Sequence, residues 1–140
     1  MTNIIDIGPA PLVVNIEKDT IENSNYRTTL WTGVNLQITL MSVDPGDDIG
    51  LEVHSTHDQF LRIEQGQATV NMGPNQTELQ TWTANPSDAI VVPAGTWHNL
   101  ISIGEEPLRV YSIYAPPQHP HGTVHITKEE GEAAEHLENN

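Results

Sequence analysis

Short runs of β-branched and aliphatic residues recur along the chain, separated by clusters of turn-forming residues. The runs are NLQITLMSV (35–43), GLEVH (50–54), QFLRIEQGQATVNM (59–72), TELQTWT (77–83), AIVVP (89–93), WHNLISI (97–103) and LRVYSIY (108–114). DPGDD, EQGQ, GPNQ, NPSD, PAG and GEEP lie between them, and each supplies the Gly, Pro, Asn or Asp chemistry that a tight turn requires. Seven short strands at near-even spacing predict an all-β antiparallel sandwich or barrel.

Helical periodicity is confined to the two ends. NIEKDTIENS predicts a short helix near the start, and ITKEEGEAAEHLENN offers Thr127 as a cap with Glu130 three residues on. Gly131 weakens the second helix. No repeat of fixed period and no linker divides the chain, so residues 1–140 read as one domain. Its core spans about 30–115, and a His/Pro-rich, acidic extension runs over 116–140.

Composition narrows the function. A single Phe, three Trp and three Tyr leave the core to Ile, Leu and Val. Five Lys and Arg stand against 19 Asp and Glu, a net charge of −14, which excludes nucleic acid and anionic membrane as partners and favours a neutral or cationic small-molecule substrate. With no cysteine, a metal site must be built from His, carboxylate and amide groups. The first residues lack a basic region and carry Asp6, Gly8, Pro9 and Pro11, so they do not read as a signal peptide; a cytoplasmic location is the expectation.

The candidate chemistry lies in PGDDIGLEVHSTHDQFLRIEQG. Gly46 is followed after five residues by Glu52, after one by His54, after four by Gln59 and after six by Gly66. A second block runs Ser87, five residues, Pro93, one residue, Gly95, two residues, His98. Glu52 and His54, two apart on an extended segment, project to the same face. Gln59 opens the next strand and His98 opens another after Pro-Ala-Gly, so four potential ligands from three strand ends can converge on one barrel mouth.

These two blocks resemble the signature motifs of the cupin superfamily over roughly residues 43–102. The resemblance implies a double-stranded β-helix, a jelly-roll-like barrel with short terminal helical or irregular segments, holding a metal ion between its sheets. Glu52 stands where the usual pattern has its first His, Gln59 where it has Glu, and Ser87 and Ser102 where it has Gly and Asn. The implied ligand set is therefore Glu52, His54, Gln59 and His98, one carboxylate, two imidazoles and a neutral amide. It suits a divalent transition metal, Mn, Fe, Zn, Co or Ni. His57 falls off the spacing and reads as loop, with a reserve role as ligand or proton carrier.

Three functions follow. The first is a metal-dependent enzyme of isomerase or lyase type, in which the metal acts as Lewis acid and His57 or Glu52 takes the proton. The second is a non-haem Fe(II) dioxygenase, since two His and one carboxylate are the facial-triad ligands. The third is a metal-free barrel that binds a small ligand or serves as a scaffold. The chain also resembles short single-domain cupins of the mannose-6-phosphate isomerase-like subgroup, although only Lys18, Arg27, Arg62, Arg109 and Lys128 are available to clamp a phosphate. Analogy with cupins of this size implies a homodimer.

The remaining conspicuous residues have structural readings. His119, His121 and His125 follow a double proline and read as a rigid loop or lid over the barrel rather than a second metal site. Trp97 points away from the metal, and Arg62 and Arg109 form ion pairs with carboxylates.

Overall fold

The structure is a computed structural model and describes residues 4–138. A capped helix comes first: α1 (Ile16–Glu22) begins at Asn15, whose side chain accepts the Lys18 N–H. Nine strands follow, β1 (Arg27–Thr32), β2 (Gln37–Val43), β3 (Asp58–Gln65), β4 (Ala68–Gly73), β5 (Gln80–Ala84), β6 (Ala89–Val92), β7 (Trp97–Ser102), β8 (Leu108–Ala115) and β9 (Val124–His125). Helix α2 (Lys128–Glu138) comes last.

All strand pairs are antiparallel, in a six-stranded sheet ordered β6-β3-β8-β2-β1-β9 and a three-stranded sheet ordered β5-β4-β7. The two sheets form the expected β-barrel of cupin type. Alternation decides which residues enter it. On β8, Leu108, Val110, Ser112 and Tyr114 are buried while the residues between them are half-buried. Gln59, Leu61 and Ile63 of β3 and Ala68 and Val70 of β4 do the same, and the apolar members meet in one core with Leu100 and Ile90. Each large aliphatic side chain buried there contributes about 1.5–3 kcal/mol.

The strand pattern departs from the sequence reading at three places. The run from Gln59 to Met72 is two strands, because Gly66 turns with φ +87° and a Cβ there would lie 2.9 Å from Pro107 O. GLEVH is not a strand: Gly50, at φ +83°, interrupts the extension and leaves bridges at Asp48–Ile101 and Glu52–His98. Strands β1 and β9 extend the large sheet beyond the predicted seven, with Arg27 opposite both Met41 and His125.

Both predicted helices form. At α2, Thr127 Oγ1 accepts the Glu130 N–H at 3.2 Å, while the Glu130 carboxylate accepts the Ile126 N–H at 2.8 Å. Gly131 is there for space: a Cβ on it would lie 2.6 Å from the Tyr26 ring. Among the described residues, no helix is long and apolar enough to cross a membrane.

Candidate metal centre

The first ligand block hangs from the second through the backbone. Glu52 N–H donates to His98 O at 3.0 Å and His98 N–H donates to Glu52 O at 2.9 Å, while Gly95 N–H donates to His54 O at 2.8 Å. An irregular segment thereby does the work that the sequence reading gave to a strand. It fixes Glu52 and His54 against the start of β7.

Glu52 Oε1 lies 3.5 Å from His54 Nε2 and 3.5 Å from His98 Nε2, and the three ligand atoms fall within 4.8 Å of one another. Atoms bound about 2.1 Å from a shared ion stand about 3.0 Å apart at right angles and about 3.4 Å apart tetrahedrally, so the two Glu52–His spacings are close to those of a tetrahedral shell. These distances are too long for strong hydrogen bonds. Glu52, His54 and His98 can hold a metal ion.

The hydrogen bonding around the centre points its lone pairs inward. His98 is fully buried, and its Nδ1 lies 3.0 Å from Thr96 O, which fixes that nitrogen as the N–H donor and leaves Nε2 with a free lone pair. Gln59 Nε2 donates to Ser112 Oγ at 2.8 Å, which leaves Gln59 Oε1 as the free acceptor. His54 Nε2, His98 Nε2 and Gln59 Oε1 are all buried without a hydrogen-bond partner. Each such orphan costs about 1–3 kcal/mol, a penalty that a shared cation would relieve. The donor set fits a divalent transition metal.

Electrostatics agree. Burial pushes the Glu52 carboxyl up, but the facing His54 and His98 rings outweigh it and hold the group at about 2, so it is a carboxylate at working pH. Tyr114, fully enclosed, packs its ring edge-on to His54 at 5.7 Å, and burial pushes its phenol up. Gln59 is the cross-strand neighbour of Tyr114, which puts it on the same inner face.

His57 stands apart from the three. Its Nδ1 lies 3.1 Å from Thr56 Oγ1, its Nε2 lies 3.1 Å from Pro117 O, and its ring centroid is 6.1 Å from that of His54. The tail histidines disperse. His119 turns inward, 5.3 Å from the Tyr114 ring, His121 reaches Gly8 O and Asp6, and His125 meets Arg27. Gln37, completely buried, clamps that tail by donating to His119 O at 2.7 Å and accepting from the N–H groups of Gln118 and His119.

Several contributors carry no motif in the sequence. Thr96 orients His98, Ser112 orients Gln59, Tyr114 packs on His54 and Gln37 clamps the tail, while Arg27 lies inside the barrel with a side chain 2% exposed. Arg62 does pair with Glu64. Arg109 donates to Ser42 Oγ and to Ile21 O at the end of α1, where the helix leaves carbonyls without partners.

Comparisons with known proteins agree with this architecture. The protein YrkC of Bacillus subtilis is 58% identical over 132 residues, which cover 93% of this chain and 70% of YrkC. The crystal structure of BH2720 from Bacillus halodurans superposes with a TM-score of 0.92 at 54% identity, covering 93% of this chain and 99% of that one. KdgF from a Halomonas species shares the fold alone, with a TM-score of 0.59 at 24% identity over 76% of this chain and 95% of that one. The family model for the cupin domain matches residues 39–114, so with its two antiparallel sheets and inward-facing His/Glu cluster the chain belongs to the cupin family.

Proposed function

We propose that this cupin is a metal-dependent enzyme of isomerase or lyase type acting on a small polar molecule. The observation that carries the reading is the pair of buried, unpartnered nitrogens His54 Nε2 and His98 Nε2, each 3.5 Å from the Glu52 carboxylate, with the unpartnered Gln59 Oε1 on the same inner face as Tyr114. A scaffold barrel would gain several kcal/mol from apolar residues there, about 1–3 for each orphan removed, so the metal-free reading has the larger energetic cost.

Glu52, His54, His98 and Gln59 would hold the ion. When bound, it supplies Lewis-acid polarisation of a substrate carbonyl or hydroxyl oxygen. Gln59 contributes no charge, so the shell carries a single carboxylate and leaves more positive potential for the substrate. Thr96 O and Ser112 Oγ keep the His98 ring and the Gln59 amide in their ligating orientations. A carboxylate held at about 2 is a poor proton acceptor. The base role therefore goes to His57, whose Nε2 would exchange the Pro117 carbonyl for a substrate C–H or O–H proton.

One feature favours a second reading. Glu52, His54 and His98 are the two-imidazole, one-carboxylate set of Fe(II) oxygenases. Protein loaded separately with Mn²⁺, Zn²⁺ and Fe²⁺ is assayed against a panel of small hydroxy- and keto-compounds, following substrate loss and dissolved oxygen together. Turnover without oxygen uptake supports the isomerase or lyase; turnover that requires Fe²⁺ and consumes oxygen overturns it in favour of the oxygenase.

A further inference from the structure

The net charge of −14 argues for a neutral or cationic ligand, yet the barrel interior holds an arginine that the metal centre does not use. Arg27, on β1, points inward opposite Met41, a core residue. Its Nη2 donates to Glu135 Oε1 at 2.8 Å, and its Nη1 lies 3.2 Å from His125 Nδ1. The guanidinium is always protonated, so His125 Nδ1 is the acceptor and that ring is neutral. Arg27 Nε is buried with no partner, and Cζ sits 5.2 Å from the Tyr26 ring centroid.

The carboxylate facing Arg27 comes from α2, whose described side chains are mostly exposed or half-buried. Between Lys128 and Glu135 of α2 only Gly131 is fully buried, against Tyr26. Among the described residues its polar ties include Lys128 Nζ to Asp48 at 2.7 Å and the Glu135–Arg27 pair itself. A helix of this length is marginal by itself in water, and its segment 128–135 buries little apolar surface to compensate.

Glu135 feels the charges of Glu52 and His54 as well as that of Arg27. Burial pushes its carboxyl up and the negative charge of Glu52 adds to that, while Arg27 and His54 oppose it. His119 lies in the same field: burial, reinforced by Arg27 and opposed by Glu52, pushes its ring down to about 2, so it adds no second cation. Arg27, the one buried arginine among the described residues, holds the Glu135 carboxylate at 2.8 Å. A ligand carboxylate in place of Glu135 would meet the same guanidinium.

We propose that Arg27 anchors a carboxylate-binding subsite inside the barrel, that Glu135 fills it when no ligand is bound, and that the substrate is a small carboxylate which displaces α2. The word substrate rests on the metal-enzyme reading; the subsite itself does not. Arg27 would offer the ligand a paired, charge-assisted contact, while the rest of the acidic surface discourages larger polyanions.

The test uses full-length, chelator-treated protein titrated with propanoate and, as the uncharged control, propanamide. Hydrogen exchange of residues 128–138 and the half-saturating concentration are read together. Propanoate should release exchange protection in α2 and propanamide should not. Glu135→Gln should lower the half-saturating concentration about tenfold by weakening the internal competitor. Arg27→Lys, which keeps the charge and loses the fork, should raise it about tenfold. Unchanged α2 protection in propanoate, or equal responses to propanoate and propanamide, would overturn the subsite and make Arg27–Glu135 a purely structural pair. Repeating the titration after Mn²⁺ loading, with metal uptake measured separately, keeps failure of the metal reading distinct from failure of this one.

Discussion

Replacing Gln59 by Leu should move stability and metal affinity in opposite directions. The substitution nearly conserves volume and deletes both polar atoms of a buried amide. In metal-free protein, loss of the Nε2–Ser112 hydrogen bond removes about 1 kcal/mol, while removal of the unpartnered Oε1 returns about 1–3 kcal/mol. Ser112 keeps Tyr114 as a partner. The net gain is about 1 kcal/mol, or about 3–4 °C in Tm for a domain of this size. In metal-loaded protein the same change removes a ligand. If about 10–16 kcal/mol of binding is shared among four ligands, one is worth about 3 kcal/mol, and a neutral amide less, so affinity should fall about ten- to hundredfold. Thermal unfolding with chelator, and again across a Zn²⁺ or Mn²⁺ titration, reads both quantities. A metal-free variant that melts well below the parent while binding metal equally would refute the reasoning and make Gln59 a structural residue.

Other consequences follow from the same geometry. The Glu52 carboxyl is lowered from 4.5 to about 2, so its contribution is present above about pH 4.5 and is lost as pH falls toward 2. Glu52→Gln should flatten that part of the acid-unfolding curve of chelator-treated protein, followed by circular dichroism; an unchanged curve would contradict the assignment. Gln37→Leu strands buried backbone groups of Gln118 and His119 and should cost about 2–4 kcal/mol in chemical denaturation, with proteolytic nicking near residue 118. Gly131→Ala gains helix propensity of about 1 kcal/mol but drives a methyl group into the Tyr26 ring. Faster hydrogen exchange in α2 is the expected outcome, and slower exchange would show that the helix is not docked there.

The fold was largely legible in the sequence because alternation and turn chemistry are local. LRVYSIY and QFLRIEQ carry the period of two that β8 and β3 show, and Asn15 and Thr127 cap helices as their types allow. Local signals did not reveal that Gly50 breaks GLEVH, or that β1 and β9 complete the large sheet, because those outcomes depend on long-range pairing. Among the site residues, Glu52, His54 and His98 were visible through their spacing. Arg27 was not: an arginine in a run of threonines has no periodic mark, and only closure of the barrel and docking of α2 show that it faces inward beside Glu135.

The most direct measurement is elemental analysis of protein purified without chelator, made alongside His54→Ala and His98→Ala. About one transition-metal ion per chain in the parent, with near-complete loss in both variants while circular dichroism shows the barrel intact, is the predicted result. Folded parent protein that carries no metal and takes up none of Mn²⁺, Fe²⁺, Co²⁺, Ni²⁺ or Zn²⁺, or variants that bind as well as the parent, would contradict the assignment of the Glu52–His54–His98 cluster as a metal centre.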